Sequence, residues 1–216
     1  MSELLRRMGD TVADQLRRAS LGLLTANAGA AQHAIALDED VDAMELQVNE
    51  ACARLLGERE AGTARLRFVA ATMKAVTEFE RIGDQAESIA RAGLRGGIAP
   101  QLLDAGLRAM ASVAQEMVAD AVQAVARGDA ALASKVVATR ASLELLQQET
   151  ARRLVGEAAA DPNLLADVQR LGHVARAFAR IGRHATKAAE MVPYMADAPR
   201  LPDAFATREQ EPAWPI

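Results

Sequence analysis

Asp38, Asp42, Glu45 and Asn49 are spaced by four, three and four residues, so a helix would present them along one line. Glu80 and Asp84, four apart, would share a line on a second helix. The apolar series Leu66, Val69, Met73, Val76, continued by four residues, lands on Glu80. A carboxylate therefore stands at or beside a seam where a hydrophobe is expected. Clustered like charges are unfavourable unless a cation or a base compensates them. Two acidic lines on neighbouring helices would offer all-oxygen ligands of the kind that hold iron(III), manganese, magnesium or calcium. The plainer reading of the same residues is a solvated acidic face with Lys74 and Arg81 as local partners, and from spacing alone it is the better one. No Glu-x-x-His run occurs, so a ferritin-like di-iron arrangement is not supported.

A second charged line has the opposite sign. Arg176, Arg180, Arg183 and Lys187 are spaced by four, three and four residues near the end of the chain. Such a stripe is either solvated surface or a docking face for an acidic partner. Arg183 is expected to find a carboxylate in Glu144, which it would bridge in two-pronged fashion. The three histidines, His33, His173 and His184, belong to no nucleophile–base motif and read as surface or bundle residues. An enzyme is the least expected function.

The elements that must position these residues are written twice. Phe79-Glu80-Arg81-Ile82-Gly83-Asp84-Gln85-Ala86 returns as Phe178-Ala179-Arg180-Ile181-Gly182-Arg183-His184-Ala185, 99 residues later. The same offset relates Gly29 to Gly128, Arg54-Leu55 to Arg153-Leu154 and Gly57-Glu58 to Gly156-Glu157. These anchors indicate a tandem duplication with one expected register of 99. Gly83 and Gly182 should then be equivalent, each admitting a close neighbouring backbone.

Leu4, Met8, Val12, Leu16, Ala19 and Leu23 form one helical stripe that breaks near Asn27-Ala28-Gly29. A second helix is expected from about Ala30 to Gly57. Thr63 is expected to cap a third, running from Ala64 to about Leu94. Gly93, Gly96, Gly97 and Pro100 join the halves. A fourth helix closes at Gly128, Asp129 caps a fifth to about Glu157, and Asp161-Pro162 starts a sixth that ends before Pro193. The expected fold is all-α: two tandem three-helix bundles of long helices, residues 1–98 and 99–196, with a proline-rich tail of disordered character over 197–216.

Composition agrees. Half of the 216 residues are hydrophobic but only 3% are aromatic, a mix suited to long helices rather than strands. A formal charge of −4, without basic–aromatic interleaving, speaks against nucleic acid. Cys52 is the single cysteine and has helical-spaced apolar neighbours, so a buried, inert thiol is expected. The first ten residues have no signal-peptide core, and the uncharged run Ala19–Leu37 carries too many polar residues for a bilayer span. The chain reads as soluble and cytoplasmic.

The segment Asp38-Glu39-Asp40-Val41-Asp42-Ala43-Met44-Glu45, then Asn49-Glu50-Ala51-Cys52, Lys74 and Glu78-Phe79-Glu80-Arg81-Ile82-Gly83-Asp84, resembles the PhoU family of phosphate-signalling proteins. The resemblance extends over about Met1 to Met195. It implies a non-enzymatic regulator that restrains phosphate uptake and represses the phosphate-starvation response. It also implies binding to a phosphate ABC transporter ATPase and a sensor histidine kinase, and hence a peripheral place at the inner membrane. A homo-oligomer is left open. Some family members hold multinuclear metal clusters on acidic pairs, which match Asp38 with Asp42 and Glu80 with Asp84 here, Glu45 being a further candidate ligand. Iron, manganese, magnesium, calcium or zinc would be the ion. At the 99-residue offset these pairs become Val137 with Ala141 and Ala179 with Arg183, so metal is expected in the first repeat only. Two alternatives are an accessory regulator of a different ion transporter and a metal-binding helical bundle.

Overall fold

The computed structural model describes residues 2–57 and 62–196, and within them the chain is all-helical. The long helices are α1 (Ser2–Leu24), α2 (Ala28–Gly57), α3 (Thr63–Leu94), α4 (Ala105–Arg127), α5 (Ala130–Ala160) and α6 (Leu165–Ala189). A short α7 (Val192–Ala196) follows, so Pro193 lies inside a last helical turn rather than beyond the helices. The proline-rich tail expected over 197–216 lies outside the described residues, as do residues 58–61 between α2 and α3.

Local chemistry explains most of the boundaries. Asn27 Oδ1 accepts from the Ala30 amide, and Asp129 Oδ1 accepts from the amides of Ala131 and Leu132, so each second helix begins on an Asx cap. Gly128 closes α4 at φ 68°, a left-handed conformation that favours glycine. Asp161-Pro162 opens a 3-10 turn, Pro162–Leu164, that leads into α6. Thr63 is not a cap: it is the first residue of α3, and Gly62 occupies the capping position without a side-chain bond.

Each set of three helices packs into a bundle, and the bundles join side by side, α3 against α6 and α1 against α4. Helices α2 and α5 flank this arrangement, and one continuous apolar core runs through both halves. Phe79 and Phe178, both fully buried, are its largest side chains.

The buried positions correct the single register. Leu5, Met8 and Leu16 of α1 answer to Leu107, Met110 and Val118 of α4, and Ala34, Val41 and Cys52 of α2 answer to Val136, Leu143 and Leu154 of α5. Each of these pairs is 102 residues apart. Only α6 repeats α3 at 99, pairing Phe79, Ile82 and Gly83 with Phe178, Ile181 and Gly182. Three fewer residues therefore separate the second and third helices of the second repeat. The apparent 99-residue match of Gly29 with Gly128 is a coincidence of sequence. Gly29 lies in the first turn of α2, whereas Gly128 terminates α4.

Candidate functional site

The two acidic lines meet where α2 packs on α3. Asp38, Glu45 and Glu80 are half-buried there, while Asp42 and Asp84 are more exposed. The carboxyl of Glu80 is pushed up to about 7, first by burial and then by the charges of Asp84, Glu45 and Asp42. Burial raises Asp38 too; a hydrogen bond from Gln15 opposes this, and the charges of Glu87 and Asp42 add to it. Asp84 is raised by burial and by Asp38, Asp42 and Glu87, with His184 acting against them. All five carboxylates picked from the sequence thus lie within one electrostatic neighbourhood.

The structure adds two members. Glu87 extends Glu80 and Asp84 by three residues, and so repeats the four–three spacing of Asp38, Asp42 and Glu45, a signal already present in the sequence. Gln15 comes from α1, where it is fully buried and donates through Nε2 to Asp38 Oδ1 at 3.0 Å. Among the described residues, no three His, Cys, Asp or Glu side chains converge as they stand on a point that would hold a metal ion. The donor chemistry nevertheless suits a hard cation: carboxylates that repel one another, beside a buried amide oxygen, Gln15 Oε1, that has no hydrogen-bond partner.

The second repeat has remade this place. At the 102 register Asp38 is replaced by Arg140 and Asp42 by Glu144, and these two pair at 2.9 Å. Glu80 and Asp84 are replaced by Ala179 and Arg183, and Gln15 by Met117. The counterparts expected at 99, Val137 and Ala141, are therefore not the equivalent positions, and one carboxylate, Glu144, survives. It is already neutralised within its own helix, and no bond joins it to Arg183, which stays exposed. A Cβ on Gly83 would meet Gln15 Oε1 at 3.1 Å and Asp38 Oδ1 at 3.5 Å; one on Gly182 would meet Leu143 and Met117 side chains. The two glycines are equivalent, as expected, but they make room for side chains. Close backbone approach occurs instead between α1 and α3, where a Cβ on Gly93 would lie 3.0 Å from Leu23 Cα.

Arg176, Arg180, Arg183 and Lys187 are all exposed along α6. Lys187 Nζ lies 3.9 Å from Glu78, and Arg180 reaches Gln85 only at 3.5 Å. The stronger feature of this face was not visible in the sequence. Glu78 Oε2 meets His184 Nδ1 at 2.6 Å between α3 and α6, with Arg81 3.3 Å from the same carboxylate. Beside it opens a cleft of about 420 Å³ lined by Met73, Lys74, Arg81, Lys187, Glu190 and Met191. Cys52 is buried and its thiol is pushed up to about 11 by that burial, which leaves it unreactive as expected.

The model of the PhoU domain matches this chain twice, over residues 5–93 and 107–192. The chain belongs to the PhoU family. The phosphate-specific transport system accessory protein PhoU homolog of Pseudomonas aeruginosa is 31% identical over 215 residues, covering 96% of this chain and 86% of the relative. Its Escherichia coli K12 counterpart is 28% identical, over 87% of this chain and 78% of its own length. The crystal structure of PhoU from P. aeruginosa superposes with a TM-score of 0.86 at 32% identity, over 90% of this chain and 94% of that one. The phosphate transport system regulatory protein PhoU from Streptococcus pneumoniae shares the fold, with a TM-score of 0.81 at 21% identity. These relatives are accessory proteins of phosphate-specific transport. Among the described residues, no helix is long and apolar enough to cross a membrane.

Proposed function

We propose that this PhoU protein is a negative regulator of phosphate uptake and of the phosphate-starvation response, acting by binding rather than catalysis. It would bridge a phosphate ABC transporter ATPase and a sensor histidine kinase from the cytoplasmic side of the inner membrane. The observation that carries this reading is the family match over both repeats and nearly the whole chain, with curated relatives described as accessory proteins of phosphate-specific transport. The exposed line Arg176, Arg180, Arg183 and Lys187 is the candidate docking face, since rim charges steer association without needing a deep pocket.

Deleting the gene in its own host tests this directly. Starvation-response reporters and phosphate uptake should rise in phosphate-rich medium and return to normal on complementation. If both stay unchanged while uptake of another ion shifts, the protein regulates a different transporter.

The acidic centre is part of the same proposal. Asp38, Asp42, Glu80 and Asp84, with Glu45 beside them, would hold a hard cation, which would supply the positive charge that offsets four or five clustered carboxylates. Elemental analysis of protein purified without chelators is the test. Glu80→Ala with Asp84→Ala should lose the metal and keep its helicity; metal retained by that double variant defeats the assignment.

A further inference from the structure

A glutamine with no exposed surface, on the apolar stripe of α1 between Val12, Leu16 and Ala19, is not what packing alone would select. The second repeat shows what packing does select at that place: Met117, of similar length and fully apolar, at the 102 register. Gln15 uses only half of its amide. Nε2 donates to Asp38 Oδ1 at 3.0 Å, while Oε1 is buried and unpartnered beside Gly83, the residue that precedes Asp84. A buried oxygen without a partner is unfavourable, and native structures rarely keep one without a reason. The exchange is also concerted. Where Gln15 is present, the helices opposite carry Asp38 and Asp84; where Met117 is present, they carry Arg140 and Arg183.

We propose that Gln15 is a positioning residue of the acidic centre: it holds Asp38 from beneath through Nε2 and offers Oε1 as a neutral oxygen donor to a hard cation held by the carboxylates of α2 and α3. The inference rests on the cation reading given under Proposed function and assigns it a third helix. Gly83 is the second requirement, because a side chain there would occupy the space beside Oε1 and Asp38 Oδ1. Helix α1 also packs against α4 of the other repeat, so the centre is tied through Gln15 to a helix that joins the two halves.

Mn2+ binding to the full-length chain, followed by the electron paramagnetic resonance of the free ion, tests the assignment in four variants. Gln15→Met installs the side chain that the second repeat carries, and should fold with an unchanged or higher melting temperature. Its Mn2+ affinity should fall about tenfold or more, as loss of an orienting partner usually does. Gln15→Glu, which keeps an oxygen at the same reach but loses the Nε2 donor to Asp38, should bind Mn2+ more weakly than the unsubstituted protein and more tightly than Gln15→Met. Gly83→Ala presses on Oε1 without changing its chemistry and should weaken binding as well; it carries the test alone if Gln15→Met does not fold. Glu80→Ala with Asp84→Ala should abolish binding. Wild-type affinity in Gln15→Met or in Gly83→Ala, with binding lost in the double carboxylate variant, overturns the role of Gln15 and leaves the carboxylate site standing. Mn2+ bound equally by all variants, or by none including the unsubstituted protein, overturns the cation reading itself.

Discussion

Glu78 of the first repeat and His184 of the second lie 2.6 Å apart, Oε2 to Nδ1, across the seam where α3 packs on α6. Both are largely buried, 12% and 17% exposed as side chains, so solvent screens this contact much less than the exposed ion pairs of the outer helices. Among the described residues, Glu78 is also the carboxylate that Arg81 and Lys187 approach, at 3.3 and 3.9 Å. One acidic side chain therefore gathers three basic ones from both halves.

Replacing Glu78 by Gln should destabilise the protein by about 1–3 kcal/mol, the usual range when a largely buried charged hydrogen bond loses one partner. At this chain length that is a fall of roughly 2–4 °C in melting temperature per kcal/mol. His184→Ala should cost less, because Arg81 and Lys187 remain with the carboxylate. A double-mutant cycle measured by thermal or urea unfolding gives the coupling, and a coupling indistinguishable from zero would make this contact incidental.

The acidic centre predicts a pH dependence of definite sign. Glu80 titrates at about 7 in the folded chain against an ordinary 4.5, so the folded state holds the extra proton between those values. Stability from this group is full below pH 4.5 and is lost as pH rises through 7. Asp38 and Asp84, also raised, act in the same direction. In metal-free buffer, Glu80→Gln should therefore stabilise the protein at pH 8 by about 1 kcal/mol after allowance for solvent screening, and by much less at pH 5. Urea midpoints of both proteins at the two pH values decide it; an equal or larger gain at pH 5 contradicts the electrostatic account.

Helix spacing predicts its own asymmetry between glycines. A Cβ on Gly93 would sit 3.0 Å from Leu23 Cα and N, backbone atoms that cannot turn aside. Gly93→Ala should separate α1 from α3 at some cost, about 1–3 kcal/mol by analogy with overpacked cores. Gly156 lies within α5 with nothing near its missing Cβ, so Gly156→Ala should stabilise by about 0.5–1 kcal/mol. Thermal melts of the two variants should move in opposite directions.

Much of this architecture was legible because helical periodicity and end signals act locally. Asn27, Gly128, Asp129 and Asp161-Pro162 mark their boundaries in the sequence and mark them in the structure. The acidic lines were legible too, since four-and-three spacing on a helix has only one geometric meaning. The register was misread because Phe79–Ala86 and Phe178–Ala185 dominate the similarity, and those strings belong to the one helix pair that keeps an offset of 99. Gln15 and the Glu78–His184 contact escaped for a different reason. A stripe shows which face of a helix is buried, but not which side chain of a distant helix covers it. Both residues matter through partners that are 23 and 106 positions away.

The basic line of α6 supplies the remaining prediction. Arg176 and Arg183 are exposed and carry no ion pair to a described residue, whereas Lys187 faces Glu78 and is best left in place. Arg176→Glu with Arg183→Glu should therefore leave the fold nearly untouched, within about 0.5 kcal/mol. If this line docks an acidic partner surface, the double reversal should weaken binding to the transporter ATPase or the kinase about tenfold or more at low salt, and the difference should shrink as ionic strength rises. Titrations at two salt concentrations separate that from a general loss of structure, which would not respond to salt in this way. Unchanged affinity for both partners would return the four residues to ordinary solvated surface. A loss confined to one partner would instead assign α6 to that partner and leave the other to a different face of the bundles.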